Sequence, residues 1–339
     1  MSSTATIAEI AARAGVGTAT VDRVLNKRPG VNADTVQRVL RAVAEIGSPP
    51  QRGRPRRDAN FRFAFVLPAD ETPFLELVER QIAQSASDFR HQHITEVTYR
   101  LAAGDGDEFA SGLAQMADCE GVALMAPDVP QVKLAINELV RSGVHVVTLF
   151  SDVAGSMRET HIGADNRAAG RTAGLLIGRF LGARGGKVAM IAGSLSYRGH
   201  EEREIGFLNL MKDEFPALQV IGAREGRDDA ETNYRQARVL LEQHADLVGL
   251  YNIGGASDGV GRALKDTGRD RKVVFVGHGL TPDTRALLVD GTMDAVITQH
   301  QQTMIHNSVR IFANLRDGRE PNLGVEQVRS QVIFRENLP

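Results

Sequence analysis

The sequence is poor in cysteine and in aromatic side chains. Its 339 residues include one Cys, no Trp and only 5% aromatic residues. Cys119 has no second Cys for a disulfide, and no Cys or His stands near it at metal-ligand spacing. We therefore expect a reducing cytoplasm as the compartment and no bound metal or other cofactor. Cys119 itself is most simply a buried apolar residue.

Long apolar runs are also missing. The amino-terminal segment lacks the uninterrupted apolar stretch of a signal peptide, and no segment approaches the roughly eighteen apolar residues of a membrane span. Hydrophobic residues at 42% and charged residues at 24% are typical of a folded, soluble protein. The length suits two or three domains, so we expect a small domain, a large one and no membrane partner.

Charge is distributed unevenly along the chain. The formal net charge is -2, but residues 1–57 hold ten Arg or Lys against four Asp or Glu. The amino-terminal part therefore carries +6 and the remainder carries -8. A small basic head on an acidic body predicts that the head meets a polyanion.

The basic head has the periodicity of three short helices. Ile7, Ile10 and Ala14 have the spacing of one helical face, and Gly15 stands where that helix would end. A second helix is predicted from Thr18, and a third, capped by Asn32, has an apolar stripe made of Val36, Val39, Leu40, Val43 and Ile46. Two helices around a glycine-containing turn fit a helix-turn-helix, whose second helix can enter a major groove. On this pattern alone, a structural three-helix bundle fits about equally well.

A resemblance to a known family decides between these alternatives. The string TIAEIAARAGVGTATVDRVLN, with its IA-x-x-AGV-x-x-x-TV-x-RVLN core, resembles the head of the LacI/GalR family of bacterial repressors. The resemblance implies a DNA-binding face formed by the recognition helix and the residue that follows it: Thr18, Ala19, Thr20, Arg23 and Asn26. Thr18 and Ala19 would read bases, but neither offers a bidentate fork, so direct readout there should be modest. Gly17 departs from the family, which usually has a helix-capping, phosphate-binding Ser at this position.

The rest of the chain predicts an α/β body. Short, continuously apolar runs alternate with helical segments: FRFAFVLP, GVALMAP, VHVVTLF, KVAMIAG, LVGLYNIG, KVVFVG and AVITQ. Such runs indicate strands buried on both faces, and their number favours two doubly wound parallel sheets. The body also resembles that of the family, which is similar to periplasmic sugar-binding proteins.

The predicted organisation has three parts. They are a helix-turn-helix head over 1–47, an Arg/Pro-rich linker over 48–60 and a two-lobed ligand-binding and dimerisation body over 61–339. The lobes are expected near 61–162 and 163–294, and the chain should cross back to the first lobe after about 295.

Polar side chains follow the predicted strands, where parallel sheets bind ligands. Asp70, Asp128, Asp152 and several amides there suit a neutral polyhydroxylated ligand, a small sugar or polyol. The alternative is that these residues merely cap loops. The family resemblance assigns ligand contacts to Asp152, Arg203 and Asn252. The set of expected ligand-binding residues is Asp70, Phe74, Asp152, Arg203, Asn252, His278 and Gln299.

One departure affects the expected ligand site. Where the family commonly reads Val-Gly-aromatic-Asp, this chain has His278 in a Val-Gly-His-Gly segment, so the ligand-binding carboxylate is missing. His278 or Gln299 would take over its role, although a histidine packed within a loop is an equal alternative. Few rings are placed to stack on a ligand: Phe74, Phe150 and Tyr251.

Other functions are disfavoured by the motifs. The glycine-rich segments lack the spacing of nucleotide-binding loops, and no Gly-x-Ser-x-Gly or His-Glu-x-x-His motif is present, so we expect no enzyme. A periplasmic transport receptor would need a signal peptide and no basic head. The expected function is a sugar-responsive DNA-binding regulator that acts as a homodimer, with a tetramer as the alternative assembly.

The linker predicts a second DNA contact. Residues 48–57 contain Pro49, Pro50, Gly53 and Pro55, which disfavour a helix, and lack the minor-groove Leu of the family. The core Arg52-Gly53-Arg54-Pro55 resembles an AT-hook, which lies in the minor groove of A·T-rich DNA. An A·T-rich minor groove attracts inserted arginine, so we expect Arg52 and Arg54 to bind there. The alternative is a solvated, charged linker.

Overall fold

The structure is a computed structural model that describes residues 5–25, 30–46, 61–85, 94–104 and 106–339. The chain divides into two compact units, Met1–Pro55 and Arg56–Pro339. Asn26, Arg52 and Arg54, and with them the predicted linker contacts, lie outside the described residues.

The amino-terminal unit contains helices α1 (Ile7–Ala14), α2 (Thr18–Leu25) and α3 (Ala33–Ile46). Thr6 begins α1 through a capping box with Glu9, and Gly15 ends it in the left-handed conformation at φ +63°. The predicted cap of α3 is present, because the Thr35 N–H donates to Asn32 Oδ1 at 2.8 Å. The helix-turn-helix prediction is confirmed.

The apolar stripe predicted on α3 is wrong at one position. Val39 is fully buried, but Leu40 is 52% exposed, and Ala42 is buried instead. At 100° per residue, Leu40 lies about 130° around the helix from the midpoint of Val39 and Ala42, which turns it away from the buried face. A five-residue stripe was therefore too wide for a unit with so small a core.

The first sheet of the body contains five parallel strands in the order β2-β1-β3-β4-β5. The strands are β1 (Phe61–Pro68), β2 (Ile94–Leu101), β3 (Gly121–Leu124), β4 (His145–Leu149) and β5 (Thr160–Ile162). Apolar clusters cover both faces, which is why the central runs have no polar alternation. The helices that pack here are α4 (Pro73–Ser85), α5 (Gly106–Ala114), α6 (Pro130–Ser142) and α12 (Gln301–Arg316).

The second sheet contains six strands in the order β11-β10-β9-β8-β6-β7, and β11 runs antiparallel to β10. The strands are β6 (Gly186–Ala192), β7 (Leu218–Glu225), β8 (Leu247–Asn252), β9 (Val274–His278), β10 (Ala295–Gln299) and β11 (Ser330–Ile333). The accompanying helices are α7 (Asn166–Leu181), α8 (Arg198–Glu214), α9 (Ala230–Gln243), α10 (Ser257–Asp266) and α11 (Pro282–Asp290). The prediction of two doubly wound sheets is confirmed.

The chain passes between the sheets at three places. It leaves the first sheet after β5, returns between β10 and α12, and goes back before β11. The chain crosses back to the first lobe near residue 300, a few residues after the predicted position of about 295, because β10 still pairs with β9 in the second sheet. We call the β1–β5 sheet with its helices the first lobe, and the β6–β11 sheet with its helices the second lobe. Within the ranges given above, no helix is long and apolar enough to cross a membrane.

Candidate ligand cleft and DNA-binding head

The two lobes of the body enclose a cavity of about 90 Å³, several times the space that one ordered water needs. Its lining residues follow the carboxyl ends of strands in both lobes, where open parallel sheets bind ligands. Side chains of both lobes line it: Phe74 and Phe150 from the first lobe, and Asn166, Tyr197, His200, Arg203, Asp228, His278 and Gln299 from the second. Of the seven ligand residues predicted from sequence, four line this cleft: Phe74, Arg203, His278 and Gln299.

Arg203 extends from α8 into the cleft and is held by neutral partners. Its Nε donates to Asn166 Oδ1 at 2.8 Å and its Nη1 to the Ile253 carbonyl at 2.9 Å. Burial lowers the pKa of the Arg203 guanidinium, and no carboxylate among the described residues forms a hydrogen bond with it. The remaining donors of its planar fork are thus available to a ligand.

Glycines at the contact of α7 with α8 fix the position of Arg203. A Cβ on Gly170 would lie 2.0 Å from the Arg203 carbonyl oxygen, and one on Gly206 would lie 2.1 Å from the Arg167 carbonyl oxygen. Only residues without a side chain allow the two backbones to approach this closely. The helix contact therefore sets how far the guanidinium reaches into the cleft.

His278 ends β9 and is both packed and exposed to the cavity. Its Nε2 lies 2.7 Å from the Tyr251 hydroxyl, and the Tyr251 ring stacks on Phe207 with centroids 4.8 Å apart. Burial, together with the nearby Arg203 and His200, lowers the pKa of His278 well below its ordinary value. His278 is therefore a neutral histidine near neutral pH. Tyr251, expected as a possible stacking ring, is fully buried beneath it.

Asp228 is held in a loop of unusual backbone conformation. Its Oδ1 accepts the Gly255 N–H at 2.6 Å. A Cβ on Gly193 would lie 2.4 Å from the Asp228 carboxylate, and one on Gly254 would lie 2.2 Å from it. Non-glycine residues at positive φ include Arg227 and Asp228 beside the cleft, and such strain is common at binding sites.

Two aromatic rings form one wall of the cleft. Phe74 and Phe150 meet edge to face, with centroids 5.1 Å apart and an interplanar angle of 81°. Phe150 has φ +61°, and the Ser151 N–H donates to the Leu149 carbonyl across it at 2.6 Å, forming a γ-turn. This turn ends β4 sharply and directs the Phe150 ring towards the ligand space.

Three of the predicted ligand residues do not line the cleft. Asp152 lies elsewhere in the first lobe, where Arg158 and Thr148 hold its carboxylate. Asn252 is fully buried and donates to the Gly255 carbonyl and to Ser257 Oγ, so it shapes the loop after β8. Asp70 is exposed on the surface. Asp70 and Asp152 follow strands and Asn252 ends one, but side-chain direction and local partners cannot be deduced from these positions.

The Asp152 cluster is a buried ion pair. Burial alone would raise the pKa of the Asp152 carboxyl, but hydrogen bonds from Arg158 and Thr148 outweigh that effect and lower the pKa to about 2. Burial lowers the pKa of neighbouring His161. These groups stabilise the end of β4 and the segment that leads to β5.

The sequence analysis did not identify several cleft residues, among them Asn166, Tyr197, His200 and Asp228. Asn166 follows the short β5, Asp228 follows β7, and neither strand had been recognised. Tyr197 and His200 flank the start of α8 beside Arg203. The His200 Nδ1 lies 3.0 Å from the Ser194 carbonyl oxygen and 3.3 Å from the Ser194 nitrogen. A search one helical turn before Arg203 would have found His200.

Hydrogen bonds join the lobes around the cavity. The Gly199 N–H donates to Ser151 Oγ at 3.1 Å, and the Asp128 N–H donates to the Ser196 carbonyl at 2.8 Å. Gln299 Oε1 accepts the Ala164 N–H at 2.9 Å, which fastens two crossover segments side by side. The lobes are therefore closed over the cavity.

The head presents part of the predicted DNA-binding face. Thr18, Ala19 and Arg23 are exposed on α2, whereas Thr20 is half-buried. The Gly17 carbonyl accepts the Thr20 N–H at 2.9 Å, so the helix begins here without the Ser cap of the family. Arg38, missed in the sequence, donates to the Ala14 and Gly15 carbonyls and fixes the turn between α1 and α2.

Comparisons with known proteins agree with this architecture. Residues 6–51 match the family described as bacterial regulatory proteins, lacI family, and residues 63–320 match the periplasmic binding protein domain. The chain is 28% identical over 244 residues to the HTH-type transcriptional repressor PurR of Serratia proteamaculans, covering 70% of this chain and 69% of that protein. It is 23% identical over 189 residues to the D-allose-binding periplasmic protein of Escherichia coli, covering 53% of this chain and 60% of that protein, less than two thirds of its length.

Among solved structures, the body is similar to GanP, a glucose-galactose binding protein from Geobacillus stearothermophilus. The TM-score is 0.74 at 23% identity, covering 83% of this chain and 99% of that one. A helix-turn-helix unit, followed in the chain by a two-lobed body with a polar cleft, defines a ligand-controlled DNA-binding regulator. The chain belongs to the LacI/GalR family of bacterial transcriptional regulators, and its body to the periplasmic binding protein domain family.

Proposed function

We propose that this protein is a cytoplasmic, non-enzymatic repressor whose operator affinity is controlled by a small carbohydrate or polyol bound between its lobes. The observation that carries the proposal is the closed cleft, into which Arg203, His278, Gln299 and Phe74 converge. A cavity with a few directed polar groups and an aromatic wall suits a small polyhydroxylated molecule. The sugars named for the similar binding proteins support this ligand class.

The DNA contacts follow from the exposed face of α2. Thr18 and Ala19 would touch base edges with a hydroxyl and a methyl group, and Arg23 would reach a later position in the groove. Short side chains limit the affinity of one head, so we propose a homodimer that reads two half-sites about one helical turn apart. A monomer that binds one half-site at full affinity would contradict this.

Ligand binding would control the head through lobe orientation. A ligand that stabilises the closed lobes changes the relation of the two bodies in a dimer and hence the spacing of the two heads. We propose that ligand relieves repression, with a change in operator affinity of roughly 1 to 3 kcal/mol.

The experiment has two stages. A thermal-shift screen of sugars and polyols identifies the effector, because a ligand at a hundredfold its Kd adds about 2.7 kcal/mol of stability. Binding to the promoter of the protein's own operon is then measured with and without the effector. Stabilisation by a sugar together with a changed promoter affinity is expected. Absence of stabilisation by every sugar and polyol would contradict the proposed ligand class.

A further inference from the structure

The charges that line the cleft differ from those that the sequence suggested. A neutral ligand was expected because Asp70, Asp128 and Asp152 follow strand ends, and none of the three lines the cavity. Asp128 pairs with Arg198 at 3.6 Å, and Asp152 is held by Arg158. Among the described lining residues, Asp228 is the one carboxylate.

The cation in the cleft has no bonded anionic partner. Arg203 donates to the Asn166 amide oxygen and to the Ile253 carbonyl, both of them neutral. Asp228 acts on Arg203 only through its electrostatic field, and its Oδ1 is already held by the Gly255 N–H. Arg203 is half-buried, and a guanidinium partly withdrawn from water without a bonded anion carries a cost that an anionic ligand would reduce.

The Tyr197 hydroxyl is a second polar group of the cleft that a ligand could satisfy. Tyr197 lines the cavity at 9% exposure, and its hydroxyl has no hydrogen-bond partner among the described residues. An orphaned buried hydroxyl costs stability unless a ligand satisfies it. His200, three residues before Arg203, adds an imidazole on the same side of the cavity.

We infer that the effector is a monosaccharide-sized sugar acid whose carboxylate pairs with Arg203. This inference rests on the proposed function and narrows its ligand class. A planar guanidinium fork matches a carboxylate in two parallel hydrogen bonds. Tyr197, whose hydroxyl lies within the electrostatic field of Asp228, would donate to an oxygen of the ligand, while Asp228 and Gln299 accept hydrogen bonds from the hydroxyl groups. A carboxylate is favoured over a phosphate because no Lys lines the cavity and a dianion would meet one permanent cation.

Residues 276–279 explain why this chain would take an acid. Gly279 stands where the resemblance implies a ligand-binding Asp, and the pKa shift of His278 beside it keeps that imidazole neutral near neutral pH. Both residues line the cleft, and neither places a negative charge near Arg203. A ligand carboxylate then meets less repulsion than in a site with both Asp residues.

The test measures binding of matched pairs to the full chain by isothermal titration calorimetry. D-glucose is compared with D-gluconate and D-glucuronate, and D-galactose with D-galactonate and D-galacturonate, with the corresponding pentose pairs and glucose 6-phosphate alongside. We expect at least one acid to bind at least about tenfold more tightly than its neutral partner. Tighter binding of the neutral sugar, or of the phosphate, overturns the inference and leaves the proposed function standing. If no compound binds, both fail.

A pair of variants at one position isolates the charge. In Gly279→Asp the preference should invert, so that the neutral sugar binds more tightly than the acid. The matched variant Gly279→Asn lacks the charge but adopts the same backbone conformation at φ +74°, so the acid should still bind more tightly than the neutral sugar whatever the loss in both affinities. Circular dichroism and unfolding temperature check that both variants fold. An unchanged acid-to-neutral ratio in folded Gly279→Asp would overturn the inference.

Discussion

The Ser151 hydroxyl accepts the backbone N–H of Gly199 at 3.1 Å, and this hydrogen bond joins the first lobe to the start of α8 in the second. Ser151 lies at the end of the γ-turn that also places Phe150, and Gly199 lies one helical turn before Arg203. The bond therefore links closure of the lobes to the position of two cleft side chains.

Ser151→Ala should weaken ligand binding by roughly five- to tenfold, because a buried hydrogen bond worth about 1 kcal/mol is lost only in the closed form. Calorimetry with the effector measures the change. Ser142→Ala is the matched control, since its hydroxyl donates locally to the Leu139 carbonyl within α6. Equal losses of affinity in both variants would contradict a role for Ser151 in closure.

Gly170→Ala should displace α8 and with it Arg203. The added Cβ would lie 2.0 Å from the Arg203 carbonyl oxygen, so the helices must separate. We expect a loss of about 1 to 3 kcal/mol in the free energy of unfolding, together with weaker ligand binding. Urea unfolding measures the first effect. Gly104→Ala is the control, because the space around Gly104 is open, and it should change neither the stability nor the ligand affinity. If Gly170→Ala also changes neither, the close contact between α7 and α8 is contradicted.

The Asp152 ion pair should give a distinct dependence of stability on pH. The folded-state pKa of about 2 lies below the ordinary value of 3.8. The carboxylate therefore stabilises the fold fully above pH 4, and this contribution is lost as the pH falls through about 2. The shift corresponds to roughly 2 kcal/mol for a side chain that is 17% exposed.

Asp152→Asn should lower the free energy of unfolding at neutral pH and flatten its fall in acid, as measured by urea unfolding from pH 6 to pH 2. The matched control is Asp246→Asn, because the Lys187–Asp246 pair at 3.3 Å involves a carboxylate that is 58% exposed. Surface pairs of this kind contribute little. Identical pH profiles for wild type and Asp152→Asn would show that the pair does not stabilise the fold.

The linker arginines Arg52 and Arg54 are predicted to contribute to operator affinity. Replacing Arg52 and Arg54 by Ala should weaken operator binding by about tenfold or more, because minor-groove and phosphate contacts are lost. Arg56→Ala with Arg57→Ala is the matched pair outside the Arg-Gly-Arg-Pro core and should cost less. Central G·C pairs in place of A·T should produce a similar loss, since the guanine amino group obstructs the minor groove. Unaltered binding after that base change would favour a solvated linker.

Much of the fold was predictable from the sequence because buried central strands are continuously apolar. The seven apolar runs correspond to β1, β3, β4, β6, β8, β9 and β10, which are the interior strands of the two sheets. The strands missed in the described chain, β2, β5, β7 and β11, all lie at sheet edges. Edge strands meet solvent on one side and carry polar residues, so their apolar signal is weak.

The cleft was only partly predictable for the same reason. Asp228 and Asn166 follow edge strands, so their positions at the strand ends were not visible in the sequence. Asp152 follows the interior strand β4 and was found, but its carboxylate bonds to Arg158, six residues along the chain. Sequence position identified the edge of the sheet, whereas the direction of each side chain depended on partners that only the fold brings together.

The central claim is that a ligand in the cleft controls DNA binding through Arg203. The most direct measurement follows the fluorescence anisotropy of labelled promoter DNA bound to the protein while the effector identified by thermal shift is added. Wild type should release the DNA as the effector saturates. Folded Arg203→Ala should require at least about a hundredfold more effector, because charge-assisted hydrogen bonds are removed from the cleft. Release of DNA from Arg203→Ala at the wild-type effector concentration would contradict the account.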